Sequence, residues 1–168
     1  KRPIFRARDR RAIRQRWQVA VNNQISTTEV LEDRTLLTVL IDSTVANNVG
    51  PAQSGDASYS FTVTYSTDDA ALIDVDSIDT SDVTVTGPGG GVSVINAVAT
   101  GVVDADPLTV TYTITPPGGT WDVSDTGLYN IAVNGGQVAD NLAVTISGMS
   151  LGSFNVDVNN APTVGGPV

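Results

Sequence analysis

The residues of this chain best equipped for chemistry are its aspartates. Fourteen lie between residues 35 and 168, with no Lys, Arg, His or Glu among them. The stretch DVDSIDTSD places Asp74, Asp76, Asp79 and Asp82 within nine residues; Asp68 and Asp69 stand just upstream, and Asp104 and Asp106 form a second pair. Clustered carboxylates suit Ca2+, which takes six to eight oxygen ligands. An EF-hand frame fails: counted from Asp74, Asp79 stands at the sixth position, where Gly is needed, and Val85 at the twelfth, where Glu is needed. Eight aspartates therefore remain as a Ca2+ expectation of unspecified geometry. The bland alternative is that they cap turns and solvate loops.

Other chemistries find less. Without His or Cys there is no catalytic triad, no imidazole or thiolate metal shell and no disulfide. Paired carboxylates could serve glycoside hydrolysis, but the aspartates stand in polar turn contexts, so none is expected to carry the raised pKa of a general acid. The loop GPGGG, residues 87–91, lacks the Lys and the following helix of a phosphate loop. Sugar binding wants exposed aromatic platforms. Here Tyr59, Tyr65, Tyr112 and Tyr129 fall on predicted inward faces, and Trp121 reads as a core or loop-anchoring residue whose N–H should find an acceptor. No catalytic residue and no organic cofactor is expected. Ca2+-dependent adhesion and carbohydrate binding stand as alternatives to a plain structural module.

The elements that must position these residues have a period of two. In ASYSFTVTYST, Tyr59, Phe61, Val63 and Tyr65 alternate with hydroxyl residues, and in PLTVTYTIT so do Leu108, Val110, Tyr112 and Ile114. That is the mark of antiparallel strands with one apolar and one hydroxyl face. Turn signals at 87–91, 116–119 and 134–136 separate the runs. Seven strands are expected, near 36–42, 57–67, 82–86, 91–103, 107–115, 128–134 and 151–158, with one helical turn around 137–141. The fold class is all-β, an immunoglobulin-like antiparallel sandwich.

Asp125-Thr-Gly127-Leu-Tyr129 has the spacing of a tyrosine corner, in which the Tyr hydroxyl bonds backbone just upstream of its strand. Ile131 stands where antibody domains carry a Cys. Over most of the body, YSTDD with VTVTGP, PGGTWDVSDTGLY, QVADN and LGSFNV resemble a bacterial Ig-like repeat of long extracellular proteins; AVTISGMS, 143–150, departs from it. The resemblance implies a non-catalytic adhesive or spacer module, outside the cell or on its surface, beside further β-domains of the same polypeptide. A cell-surface or matrix ligand is compatible with it.

The net charge of −9 conceals a split. All nine cations lie at or before Arg34, where four acidic residues leave +5, whereas residues 35–168 carry −14. A body at −14 repels nucleic acid, because phosphate binding needs cations. Residues 4–21 admit three readings: a solvated arm, an amphipathic helix on an anionic membrane surface, or a nucleic-acid arm, the last opposed by the acidic body. VLEDRTLL is similar to the Leu-Glu-Pro-Arg-x-Leu-Leu segment near the start of large bacterial surface proteins. Leu31, Glu32, Arg34, Leu36 and Leu37 match, and Asp33 replaces Pro. The resemblance implies an export-associated segment. The expected organisation is 1–35 as that segment, 36–159 as the sandwich and 160–168 as a linker to a following module. No run of 18 apolar residues suits a membrane-spanning helix.

Overall fold

The computed structural model describes residues 38–159. The segment 4–21, the Leu31–Leu37 motif and the linker 160–168 lie outside the described residues. The chain divides between Thr35 and Leu36 into two units, and the described residues belong to the second.

Alternating Val, Tyr, Phe and Thr form eight strands: β1 (Val39–Val45), β2 (Tyr59–Thr67), β3 (Val83–Gly87), β4 (Gly90–Val92), β5 (Val94–Ala99), β6 (Leu108–Ile114), β7 (Gly127–Val133) and β8 (Met149–Val156). They make two four-stranded antiparallel sheets, ordered β1-β2-β6-β5 and β4-β3-β7-β8. This is an immunoglobulin-like sandwich with an extra strand beside β3. The register of β2 on β6 runs unbroken from Tyr59 opposite Ile114 to Tyr65 opposite Leu108. It aligns Phe61, Val63, Tyr65, Val110 and Tyr112 on one buried face. On the outer face, hydroxyls pair across strands, Ser60 with Thr113 at 3.0 Å and Thr64 with Thr109 at 2.9 Å.

Two expectations need correction. The single strand over 91–103 is two: the chain leaves the β3 sheet after Val92 and joins the β6 sheet at Val94. Its side-chain pattern is continuous, so only the partners decide the break. The residues 137–141 form no helical turn. Ala139 and Asp140 instead bridge to Thr145 and Ile73. Helical turns occur elsewhere, as short 3₁₀ pieces at 51–53, 75–77, 117–119 and 123–125.

After β1 the chain crosses to the other sheet, where Val49 runs parallel to β8. The Val49 amide donates to the Asn155 carbonyl and its own carbonyl accepts from the Asp157 amide, both at 2.9 Å. β1 and β8 therefore point the same way. The polypeptide enters the sandwich at one end, near Asp68, and leaves it at the other, near Gly87.

The core has two poles. At the exit end lies an aromatic cluster. Tyr129 meets Phe154 at 5.1 Å between ring centroids and Trp121 edge-on at 5.3 Å, and Tyr59 stacks on Phe154 at 4.3 Å. Such pairs add about 0.5–1.5 kcal/mol each beyond area burial. Gly87 is required there, because a Cβ would enter the Tyr129 ring. At the entering end the core turns polar, around Tyr65, Tyr112 and Asp82.

Candidate functional site

The acidic loops converge on the entering end. Ile73 zips to Ala105 through two backbone bonds, the Asp74 amide donates to the Ala139 carbonyl, and the Asn141 amide donates to the Leu72 carbonyl. This brings the loops carrying Asp68, Asp69, Asp74, Asp104, Asp106 and Asp140 into one region. Most of their carboxylates already accept bonds from backbone amides. Asp68 takes the Thr38 amide (2.9 Å), Asp69 that of Ala71 (2.8 Å), Asp74 that of Asp76 (2.9 Å), Asp104 that of Val75 (3.1 Å) and Asp106 that of Thr67 (3.0 Å). An Asp oxygen that satisfies an amide two residues on is an Asx turn, and one that reaches across loops ties them together. Asp76 alone of the eight accepts no hydrogen bond within the described residues, and it is exposed. Among the described residues no three acidic side chains are grouped to hold a metal ion. The region is a set of capped turns, and the eight aspartates do not converge on one point.

Asp79 and Asp82 belong to a turn of their own. Asp79 Oδ1 accepts from the Ser81 amide at 2.6 Å and from the Ser81 hydroxyl, which together hold its carboxyl below the usual range, the hydroxyl contributing most. Asp82 closes the turn by accepting the Asp79 amide on Oδ2 at 3.0 Å. From there Asp82 points inward and is fully buried.

This corrects the expectation that every aspartate stands in a polar turn without a raised pKa. Burial pushes the Asp82 carboxyl up to about 6, against the lowering effect of its bonds from Tyr112 and the Asp79 amide. The Tyr112 hydroxyl donates to Asp82 Oδ2 at 2.7 Å. Its proton being so used, the Tyr65 hydroxyl at 2.9 Å must be the donor to Tyr112. The relay runs Tyr65 to Tyr112 to Asp82. Both phenols are pushed far up, chiefly by burial. Asp82 Oδ1 has no hydrogen-bond partner among the described residues. A general acid must touch substrate, and Asp82 is sealed from solvent, so its raised pKa serves no external chemistry.

The second aspartate constellation lies at the exit end. The Tyr129 hydroxyl donates to the Asp125 carbonyl at 3.0 Å, the bond that the Asp-x-Gly-x-Tyr spacing predicts. Gly127 has φ of +147°, and a Cβ there would stand 2.5 Å from Pro88 Cγ, so the position admits Gly alone. Trp121 is buried and anchors the 51–56 loop by two backbone bonds with Gly55 and Asp56. Its Nε1 finds no acceptor among the described residues, contrary to expectation. The indole packs edge-on against the rings of Tyr59, Tyr129 and Phe154.

The tyrosines stand as the alternation implies. Tyr65, Tyr112 and Tyr129 are buried and Tyr59 half-buried, its hydroxyl on the Asn47 carbonyl at 2.7 Å. No aromatic ring among the described residues forms an exposed platform for a sugar.

Asp140 is a residue that the sequence reading gave no role of its own. Its Oδ1 accepts from both the Leu142 and Val144 amides at 2.9 Å, and its own amide donates to the Val144 carbonyl. It turns the chain through Ala143, which has φ of +63°. The sequence signal was Asp followed by Asn, an ordinary turn pair, with nothing to show that this one would be buried. No family model matches the chain, and no curated protein matches it.

Proposed function

We propose that residues 38–159 form a non-catalytic spacer or adhesion module on the outside of a bacterial cell, one bead among β-domains of a longer polypeptide. The observation that carries this reading is the direction of the first and last strands. The chain enters at one end of the sandwich and leaves at the other, so modules joined in series extend rather than fold back. The commitment of the aspartates to amide capping supports a structural role for them. So does the composition: a body without Lys or Arg offers no bond to trypsin-like proteases, an asset outside the cell.

The test is location. Antibodies raised against residues 38–159 should label intact, unpermeabilised cells of the source organism. Labelling that requires permeabilisation would sink the extracellular reading. In parallel, millimolar Ca2+ and Mg2+ at equal ionic strength should shift the melting temperature equally. A rise specific to Ca2+ would restore the metal-dependent adhesion alternative.

A further inference from the structure

We propose that the β4–β5 side of the sandwich is a self-association surface, at which β5 of one copy pairs antiparallel with β5 of a second copy. Between residues 35 and 168 every charged side chain is negative, so two bodies repel wherever their aspartates face each other. The longest charge-free run in the body is 83–103, which supplies β3, β4 and β5. This run offers a like-charged copy strands that carry no carboxylate of their own. A cationic partner would instead be drawn to the acidic loops.

The four sheet edges are also unequal. β1 carries Asp42 at a bulge between Ile41 and Ser43. β8 is bulged near Gly152 and covered at its far end by Val49. β4 is three residues long. These are the devices by which edges are kept from pairing. β5 has six residues, no Pro and no charge, and among the described residues it pairs only with β6. Its one irregularity lies at its start, between Val94 and Asn96, and leaves Asn96–Ala99 regular.

β5 also exposes Ile95 at 54% and Val98 at 52%. Beside it, Val75, Ile78, Ala97 and Val102 line an open groove of about 380 Å³ whose one charged lining residue is Asp76. An edge strand presented to its own copy across a two-fold axis is self-complementary by construction. Antiparallel pairing would join two four-stranded sheets into one of eight and set the Val98 side chains of the two copies near one another.

The experiment is analytical ultracentrifugation of the full chain over a concentration series at low and high NaCl. The proposal expects a monomer–dimer equilibrium that tightens with salt, because screening removes the like-charge repulsion. Val98→Lys should weaken it at least about tenfold, since a lysine on an edge strand blocks pairing. Ile95→Lys should do the same, and both exposed positions should leave the melting temperature nearly unchanged. Val45→Lys, at an exposed site on β1, should not affect association. A chain that stays monomeric throughout would overturn the proposal. So would a dimer that persists in both folded lysine variants, or one that salt weakens, which would trace to residues 1–34 meeting the acidic loops of another copy.

Discussion

Two turns of this protein share one design and differ in one atom's fate. Asp79-Thr-Ser81-Asp82 leads into β3, and Asp122-Val-Ser124-Asp125 leads into β7, at opposite ends of the same sheet. In each, the first Asp accepts from the Ser amide and hydroxyl, and the second accepts the amide of the first at 3.0 Å. Ser81 and Ser124 hold the carboxyls of Asp79 and Asp122 below the usual range in the same way. Each turn then receives a tyrosine hydroxyl. Tyr129 takes the backbone carbonyl of Asp125, whereas Tyr112 takes the side chain of Asp82. A carbonyl is neutral at every pH, and a carboxylate is not. The bond of the first tyrosine is indifferent to pH, and that of the second follows the titration of its acceptor.

Breaking the two ends separates these behaviours. The largest loss is expected from Gly87→Ala, which drives a methyl into the Tyr129 ring and should cost about 3 kcal/mol at any pH, read by urea unfolding. A loss below about 1 kcal/mol would show that the ring can shift, and that the corner is loosely held.

Next comes the pH dependence of the other end. Asp82 titrates near 6 in the fold, above its ordinary 3.8. Between those values the native state keeps a proton that the unfolded chain has lost, so its contribution to stability falls as pH rises. It is fully present below about 4 and gone above about 6, a difference of about 3 kcal/mol. Asp79 and Asp122, held low, act in the opposite sense and only below the ordinary carboxylate range. Asp82→Asn should flatten the decline between pH 4 and 7; an unchanged slope in chemical denaturation would place the titrating group elsewhere.

The smallest effect sharpens the contrast. Tyr129→Phe should cost about 1 kcal/mol equally at pH 4.5 and 7.5. Tyr112→Phe should cost more at pH 7.5 than at 4.5, because the ionised carboxylate loses its donor. Equal costs at both pH values for both variants would remove the distinction between the two turns.

The same contrast explains what could be read from the sequence. Strict alternation exposed β2 and β6, because one face of each meets the core at every second residue. The corner at Tyr129 was legible because its partner lies four residues upstream. The Asp82 relay was not, since its donor lies thirty residues away and its turn looks like its twin. Local pattern supplied Asp-x-Ser-Asp twice, and only tertiary packing chose which side chain would be sealed in. The break at Ser93 escaped for a similar reason: Val92 and Val94 continue one pattern while belonging to different sheets. The amides of Thr38, Val75 and Thr67 reach Asp68, Asp104 and Asp106 from other loops, so the sequence could not show these carboxylates as ties between loops.

The parallel contact of Val49 with β8 has a mechanical consequence. Tension between residue 38 and residue 159 pulls the first strand one way and the last the other, along their own axes. The bonds from Val49 to Asn155 and from Asp157 to Val49 lie across that pull. They are loaded in shear and must fail together rather than unzip in turn. Two hydrogen bonds at one valine thus tie the entering and leaving segments to each other across the line of tension.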